Sequence, residues 1–165
     1  MQEEQKQPLI LTLKLDAESQ AFFDAQRKRY FPPERNFLQA HLTLFHQLPD
    51  EDQIYDILAA INFKPIELEV TGLMNIGAGV AYKVESKSLK NLHGVLSNAF
   101  KDVLIVQDNQ GFRPHITIQN KVMPEVARKL LEQLSRDFEE FKITAVGLEL
   151  WLYLGGPWEW VKTFG

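Results

Sequence analysis

Two short segments of similar sequence carry residue types that can perform proton-transfer chemistry. They are His41-Leu42-Thr43-Leu44 in the first half of the chain and His115-Ile116-Thr117-Ile118 in the second. Because successive side chains of a β-strand point to opposite faces, the His and Thr of each segment share one face, and the aliphatic pair points into a core. An imidazole titrates near neutral pH, and a hydroxyl can donate a hydrogen bond to an oxyanion. Two such strands facing each other would form a cleft that can open a phosphodiester without a metal ion.

The elements around the first segment are predicted from hydrophobic spacing and from helix start and stop signals. Apolar and polar side chains alternate at 9–15, as in a strand, whereas apolar residues recur at helical spacing at 51–62. Pro32 and Pro33 end any preceding helix. The predicted order is a strand at 9–15, a helix from Asp16 or Ser19 to Arg29, the strand with His41, a helix at 51–62 and a strand at 65–73.

The same order of elements begins again after Gly77-Ala78-Gly79. The predicted elements are a strand at 80–85, a helix from Ser86 to about Lys101, a short extra strand at 103–106, the strand with His115, a helix from Pro124 and one or two strands at 141–154. The interval from His41 to His115 nearly equals the interval from Leu9 to Val80, so the two segments occupy equivalent slots. We therefore expect one domain over residues 1–165 with two similar lobes, at about 9–76 and 79–154.

Length and composition are those of an ordinary globular protein. The chain has 165 residues, of which 45% are hydrophobic and 24% are charged, and it has no cysteine. No apolar run approaches the roughly 20 residues of a membrane span, and the polar, acidic start of the chain does not resemble a signal peptide. The lack of cysteine excludes disulfides and thiolate zinc sites and fits a reducing compartment. We expect a cytoplasmic monomer with no membrane association and no protein partner.

The net charge bears on the kind of ligand that the protein can bind. A net charge of −4 argues against a broad electrostatic grip on duplex nucleic acid, but a small or terminal phosphate held by a local basic spot remains compatible. One such spot is Arg27-Lys28-Arg29 with Arg35. Its alternative interpretation is a solvated helix end whose positive charges complement the helix dipole.

The paired tetrads resemble the signature of the 2H phosphoesterases, which include the 2′-5′ RNA ligase-like proteins and the cyclic nucleotide phosphodiesterases. The resemblance implies a bilobal α+β fold with pseudo-two-fold symmetry, antiparallel sheets lining a central groove and helices packed outside. It also implies metal-independent, cofactor-free chemistry on 2′,3′-cyclic phosphates or 2′-5′ linkages of nucleotides or RNA ends. His41 and His115 would serve as general base and general acid, and Thr43 and Thr117 as donors to the phosphate oxygens. Nothing in the sequence decides which histidine is the acid.

Strand alternation nominates further groove residues. Phe45 falls on the His41 face, where it could stack on a base or belong to the core, and Gln119 falls on the His115 face. Arg113 falls on the same face if the strand is regular across Pro114, and it could hold phosphate or be ordinary surface charge. Many 2H proteins carry a basic residue shortly after a tetrad, and only Lys121 approximates that feature in this chain.

The remaining histidines and the aromatic C-terminus have simpler interpretations. His46 lies on the strand face opposite His41 and is expected at a loop or edge, and His93 is expected to be a packing or surface residue. Neither tetrad strand has the His-X-His spacing that places two imidazoles on one face, so no metal site is predicted. A strand pair or hairpin around 155–157 is predicted from the alternating aromatic residues, which we expect to pack rather than line the groove: Trp151, Tyr153, Trp158 and Trp160.

Three classes of function are compatible with these features. The first is an enzyme acting on cyclic or 2′-5′ phosphodiesters, the second a nucleotide-binding module that uses the same cleft without chemistry, and the third an interaction domain with an incidental motif. The loops expected to choose the substrate, 31–38 and 108–113, carry no readable code.

Overall fold

The strands and helices of the computed structural model, which describes residues 6–165, follow the predicted order with one exception. The exception is 103–106, predicted as a strand, which forms turns before a short 3₁₀ helix at Gln107–Asn109. Another 3₁₀ helix spans Pro33–Arg35. The elements are β1 (Leu9–Leu15), α1 (Ala17–Tyr30), β2 (Leu42–Leu48), α2 (Asp52–Ala59), β3 (Ile66–Asn75), β4 (Val80–Glu85), α3 (Lys87–Ala99), β5 (His115–Gln119), α4 (Pro124–Arg136), β6 (Phe141–Tyr153) and β7 (Trp158–Phe164).

Two of the helices, α1 and α3, begin at residues whose side chains accept from free backbone N–H groups. The Asp16 carboxylate accepts from the Ser19 N–H at 2.9 Å, and the Ser86 hydroxyl accepts from the Leu89 N–H at 3.2 Å. Pro124, which has no N–H to satisfy, starts α4. No helix in residues 6–165 has the length and apolar character needed to cross a membrane.

The strands form a mixed α+β fold with one open, antiparallel, seven-stranded sheet. Its order is β2-β1-β6-β3-β4-β5, and β7 pairs with β6. The order is symmetric about its centre. Strands β1, β2 and β3 of the first half occupy the positions that β4, β5 and β6 occupy when the sheet is read from its other end. β3 pairs with the first part of β6 and thereby joins the two halves in one sheet. The tetrads lie on the two end strands, β2 and β5.

Each half also reaches into the other through its first helix. Arg27 of α1 donates from Nη1 to the Thr117 carbonyl oxygen on β5 at 3.3 Å. His93 of α3 donates from Nε2 to the Leu44 carbonyl oxygen on β2 at 3.1 Å. A buried Phe23 on α1 adds an apolar anchor to the core. The tetrad strand of each half is thus held in place by the helix of the other half.

Candidate active site

The fold brings the two tetrads together at one cleft. The end strands β2 and β5 lie near each other without pairing, so the open sheet curls and brings its two edges close together. Thr43 and His115 border one cavity of roughly 350 Å³, and His41 and Thr117 border another of roughly 300 Å³. Each cavity is therefore walled by the histidine of one tetrad and the threonine of the other, as a pseudo-two-fold axis between them would require.

The two imidazoles are oriented by the same backbone contact. His41 Nδ1 lies 2.8 Å from the Gln39 carbonyl oxygen, and His115 Nδ1 lies 2.8 Å from the Arg113 carbonyl oxygen. A carbonyl oxygen can only accept, so Nδ1 carries the proton in each ring. The Nε2 atom of each ring is therefore left for the cleft, as an acceptor when the ring is neutral and as a donor when the ring is protonated.

His41 is kept neutral by its surroundings. Its ring lies against the indole of Trp158, with a distance of 4.5 Å between ring centres. Burial lowers the pKa of His41 to about 4, the Gln39 carbonyl opposes that shift, and the positive charges of Arg27 and His115 add to it. At neutral pH His41 is a proton acceptor.

Replacing Trp158 by leucine should raise the pKa of His41. Water would reach the ring face that the indole covers, and hydration favours the charged imidazolium, so we expect a rise of about one unit. An NMR titration of the His41 ring measures this without any substrate. The matched control is Trp160→Leu, because Trp160 lies on the same strand, is 55% exposed and does not contact His41 in the described contacts. An unchanged titration in Trp158→Leu would show that the indole does not cause the shift.

A register shift follows each tetrad. Thr43 pairs with Thr12 on β1, but the next paired residue is Phe45, opposite Leu11, so Leu44 is an extra residue in the ladder. The same shift occurs on β5 between Thr117 and Gln119. A bulge of this kind turns the following side chain away from the face that regular alternation predicts.

The bulges correct the expected orientation of two nominated residues. Phe45 is fully buried in the core, where its ring stacks on His93 with 4.6 Å between centres. Gln119 is 4% exposed, and its Oε1 atom has no hydrogen-bond partner among the described residues. Neither side chain borders the cavities at the tetrads, because the extra residue rotates both of them into the core. His93 is itself a packing residue, stacked also on Phe112.

The two nominated cations do border the cleft. Arg113 borders the cavity of Thr43 and His115, and Lys121 borders the cavity of His41 and Thr117. Lys121 has a φ of 63°, in the left-handed region that non-glycine residues rarely occupy. Each half of the cleft therefore has at least one positive side chain close to a tetrad.

Two residues of the basic spot at the end of α1 and in the following segment, Arg27 and Arg35, border the cleft. Arg27 is buried at 4% exposure, its Nε donates to Asn36 Oδ1 at 3.1 Å, and its guanidinium lies 4.1 Å from the centre of the Phe31 ring. Burial lowers the pKa of Arg27, and the charge of Asp24 opposes the shift. Arg27 and Arg35 border the same cavity as Lys121, which favours the phosphate-holding interpretation for these two arginines.

A paired carboxylate and imidazole at the cleft were missing from the sequence interpretation. His46 Nδ1 lies 2.8 Å from Asp108 Oδ1, and the same carboxylate accepts from the backbone N–H groups of His46 and Gln47 at 2.9 to 3.1 Å. Burial raises the pKa of Asp108, but these hydrogen bonds outweigh burial and hold the pKa below its ordinary value. Both residues border the cavity of Thr43 and His115. No local pattern links residues so distant in sequence, although His46 does lie on an edge strand as expected.

The C-terminal aromatic residues differ from one another in their placement. The predicted hairpin is present as β6 and β7. Trp151 and Trp158, which we expected only to pack, border a third cavity of roughly 240 Å³ that His41 also borders. Tyr153 and Trp160 are exposed. The hairpin therefore supplies part of the wall beside the first tetrad.

Known structures share this fold over nearly the whole chain. TT0787 of Thermus thermophilus is 17% identical, with a TM-score of 0.63, and the match covers 95% of this chain and 96% of that one. E. coli LigT complexed with 3′-AMP is 20% identical, with a TM-score of 0.63 and coverage of 96% and 97%. A structure described as a phosphoesterase is 17% identical, with a TM-score of 0.62 and the same coverage. None of the curated proteins matches this chain.

A family model agrees with the structural likeness. The model described as the 2′-5′ RNA ligase superfamily matches residues 15–157, a range that contains both tetrads and every cleft residue described above except Trp158. That range is well over half of the chain, and the fold and the paired histidines fit it. The protein belongs to the 2′-5′ RNA ligase superfamily, among the 2H phosphoesterases.

Proposed function

We propose that this protein hydrolyses 2′,3′-cyclic phosphate or 2′-5′ phosphodiester bonds of nucleotides or RNA ends by two-histidine acid/base catalysis. The observation that carries the proposal is the matched pair of imidazoles in one cleft, each with Nδ1 bonded to a backbone carbonyl at 2.8 Å. Two equivalent rings with free Nε2 atoms are what a reaction needs when one proton leaves the nucleophile and another joins the leaving group.

The environment of His41 favours it as the base. Its neutral Nε2 accepts a proton from water as the water oxygen forms a bond to phosphorus. His115 donates a proton to the ribose oxygen as the bond between that oxygen and phosphorus breaks, so charge and atoms balance. In-line attack requires the two rings on opposite sides of the phosphorus, and the tetrads come from opposite ends of the sheet.

Hydroxyl and cationic groups would stabilise the phosphate. Thr43 and Thr117 would donate hydrogen bonds to the non-bridging oxygens, where one preorganised donor contributes on the order of 3 kcal/mol to transition-state stabilisation. Arg113 and Lys121 would bind phosphate oxygens from the two sides of the cleft. The net charge of −4 confines this attraction to the cleft and fits a ligand that is a nucleotide or an RNA terminus rather than a duplex.

Ligands bound to a protein of similar fold support a nucleotide as the class of ligand. Solved structures of E. coli LigT are described as complexes with 3′-AMP, NADP+ and ATP. A cleft of the same fold in this chain, with local positive charge and aromatic walls, is suited to the same class of ligand.

The direct test is turnover of the four nucleoside 2′,3′-cyclic phosphates and of 2′-5′-linked dinucleotides, followed by chromatography. Residues 6–165 contain no cluster of three or more metal-ligating side chains, so we expect turnover to continue in EDTA. Loss of turnover in EDTA that added metal restores would contradict the metal-independent mechanism. Tight nucleotide binding without turnover of any substrate would instead identify the non-catalytic binding module.

A further inference from the structure

A cavity beside His41 has the composition of a nucleobase site. It measures roughly 240 Å³ and is bordered by aromatic side chains and by a few polar ones. We infer that this cavity binds the base of the substrate and that Glu149 within it selects guanine. The inference rests on the proposed function for the position of the phosphate. The side chains that carry it are Thr12, Phe37, His41, Glu149, Trp151 and Trp158.

Strand register places Glu149 in line with the first tetrad. Thr43 of β2 pairs with Thr12 of β1, and Thr12 pairs with Glu149 of β6, so the three residues form one row on one face of the sheet. Neighbouring strands lie about 4.8 Å apart, which puts Glu149 about 10 Å from Thr43. A nucleotide whose phosphate contacts Thr43 can reach Glu149 with the edge of its base.

Aromatic rings flank this row. Trp151 and Trp158 have ring centres 6.1 Å apart, and Trp151 is fixed by a hydrogen bond from Nε1 to Thr12 Oγ1 at 2.9 Å. Phe37 is 74% exposed although it is a large apolar residue, and it borders the same cavity. Aromatic faces of this kind bind any base by stacking and do not distinguish one base from another. Selection must therefore come from the polar residues.

The Glu149 carboxylate is suited to that selection. It is partly buried, and within residues 6–165 it makes no hydrogen bond or ion pair. Burial raises the pKa of Glu149, with the charge of Lys14 opposing the shift. An ionised carboxylate only accepts hydrogen bonds, and among the four RNA bases guanine alone presents two adjacent donors, at N1 and N2, on its pairing edge. Guanine would supply the partners that the protein does not.

The other half of the cleft lacks an equivalent acceptor. The corresponding row runs from Thr117 of β5 to Ala81 of β4 and Met74 of β3. Neither alanine nor methionine can accept from a base edge as a carboxylate does. The pseudo-symmetry is broken at this row, and the break would fix the orientation of the substrate, with its base on the His41 side.

The test compares guanosine and adenosine 2′,3′-cyclic phosphates with Glu149→Gln. We expect the wild-type protein to prefer guanosine by about 10-fold in kcat/KM, the size of discrimination that one bidentate contact supplies. In Glu149→Gln the ratio should fall to about 1 or reverse, because a carboxamide offers one donor and one acceptor, which match the edge of adenine. Glu159→Gln is the matched control, since Glu159 is exposed on β7 and should keep the wild-type ratio.

Guanine selection and hydrolysis can be tested separately. Turnover of both nucleotides at equal rates by the wild-type protein, or an unchanged preference in folded Glu149→Gln, overturns the guanine selection and leaves the hydrolysis intact. If no cyclic nucleotide is turned over, calorimetric binding of guanosine and adenosine 3′-monophosphates decides the selection, and the proposed function fails only if 2′-5′-linked dinucleotides are not turned over either. Tighter binding of the guanosine compound that Glu149→Gln abolishes supports the site, and equal binding overturns it.

Discussion

Replacing His41 or His115 by alanine should lower kcat by about 10³-fold on whichever cyclic or 2′-5′-linked substrate the wild-type protein turns over. Without His41, water is not deprotonated as it attacks, and without His115 the ribose oxygen leaves as an unprotonated alkoxide. The double variant should be only slightly worse than either single variant, because the two rings act in one step. Steady-state rates of the three variants measure both effects.

The controls for this experiment are structural. Each ring is partly exposed, and the one hydrogen bond that the structure shows for it goes to a carbonyl two residues away, so thermal unfolding of the variants should match that of the wild-type protein. Loss of activity together with loss of folding would be uninformative, and His→Asn variants would then replace alanine. Near-normal turnover in both folded single variants would contradict the two-histidine mechanism.

Replacing Asp108 by asparagine should lower the free energy of unfolding at pH 7 by about 3 kcal/mol. The Asp108 carboxylate accepts from two backbone N–H groups and from the His46 ring, all within 3.1 Å. An amide carries no charge, and only its one oxygen can accept. Part of this buried hydrogen-bond network is therefore lost in the variant. Urea unfolding measures the difference.

The stabilisation that the Asp108 carboxylate provides should decrease as pH falls. The pKa of Asp108 in the folded protein lies below the ordinary value of 3.8, so the carboxylate stabilises the fold above that value and loses its contribution as pH falls. The gap between wild type and Asp108→Asn should therefore narrow when unfolding is repeated near pH 3. The exposed Asp102→Asn is the matched control and should change stability little at either pH. A constant gap would mean that the charge of Asp108 does not contribute.

Local patterns predicted the parts of the molecule that depend on neighbours in sequence. The caps of α1 and α3, the tetrad faces and the hairpin of β6 and β7 follow from spacing and from short-range hydrogen bonding, and all of them are present. The duplicated order of elements was visible for the same reason. A chain pattern of this kind is enough to place His41 and His115 on equivalent strands.

Tertiary pairing decided what the sequence interpretation missed. Phe45 and Gln119 turn into the core because each strand gains one residue relative to its partner, and alternation within a single strand cannot reveal that. The predicted strand at 103–106 instead forms turns, such as Val103 N–H to Phe100 O at 2.9 Å. The following Asp108 side chain bonds to the edge of β2, where a neighbouring strand would otherwise pair. The contact between Trp158 and His41 likewise joins residues that are far apart in sequence.

The pairing of β1 with β6 has a consequence for how the protein is made. β1 is synthesised long before β6, yet Leu9 pairs with Leu152 and Leu15 with Ala145. During synthesis the edge of β1 that faces β6 has no partner until β6 has been made, and closing so long a loop is entropically costly. The first half can form helices early but cannot complete its sheet, so the cleft is assembled only after β6 is available.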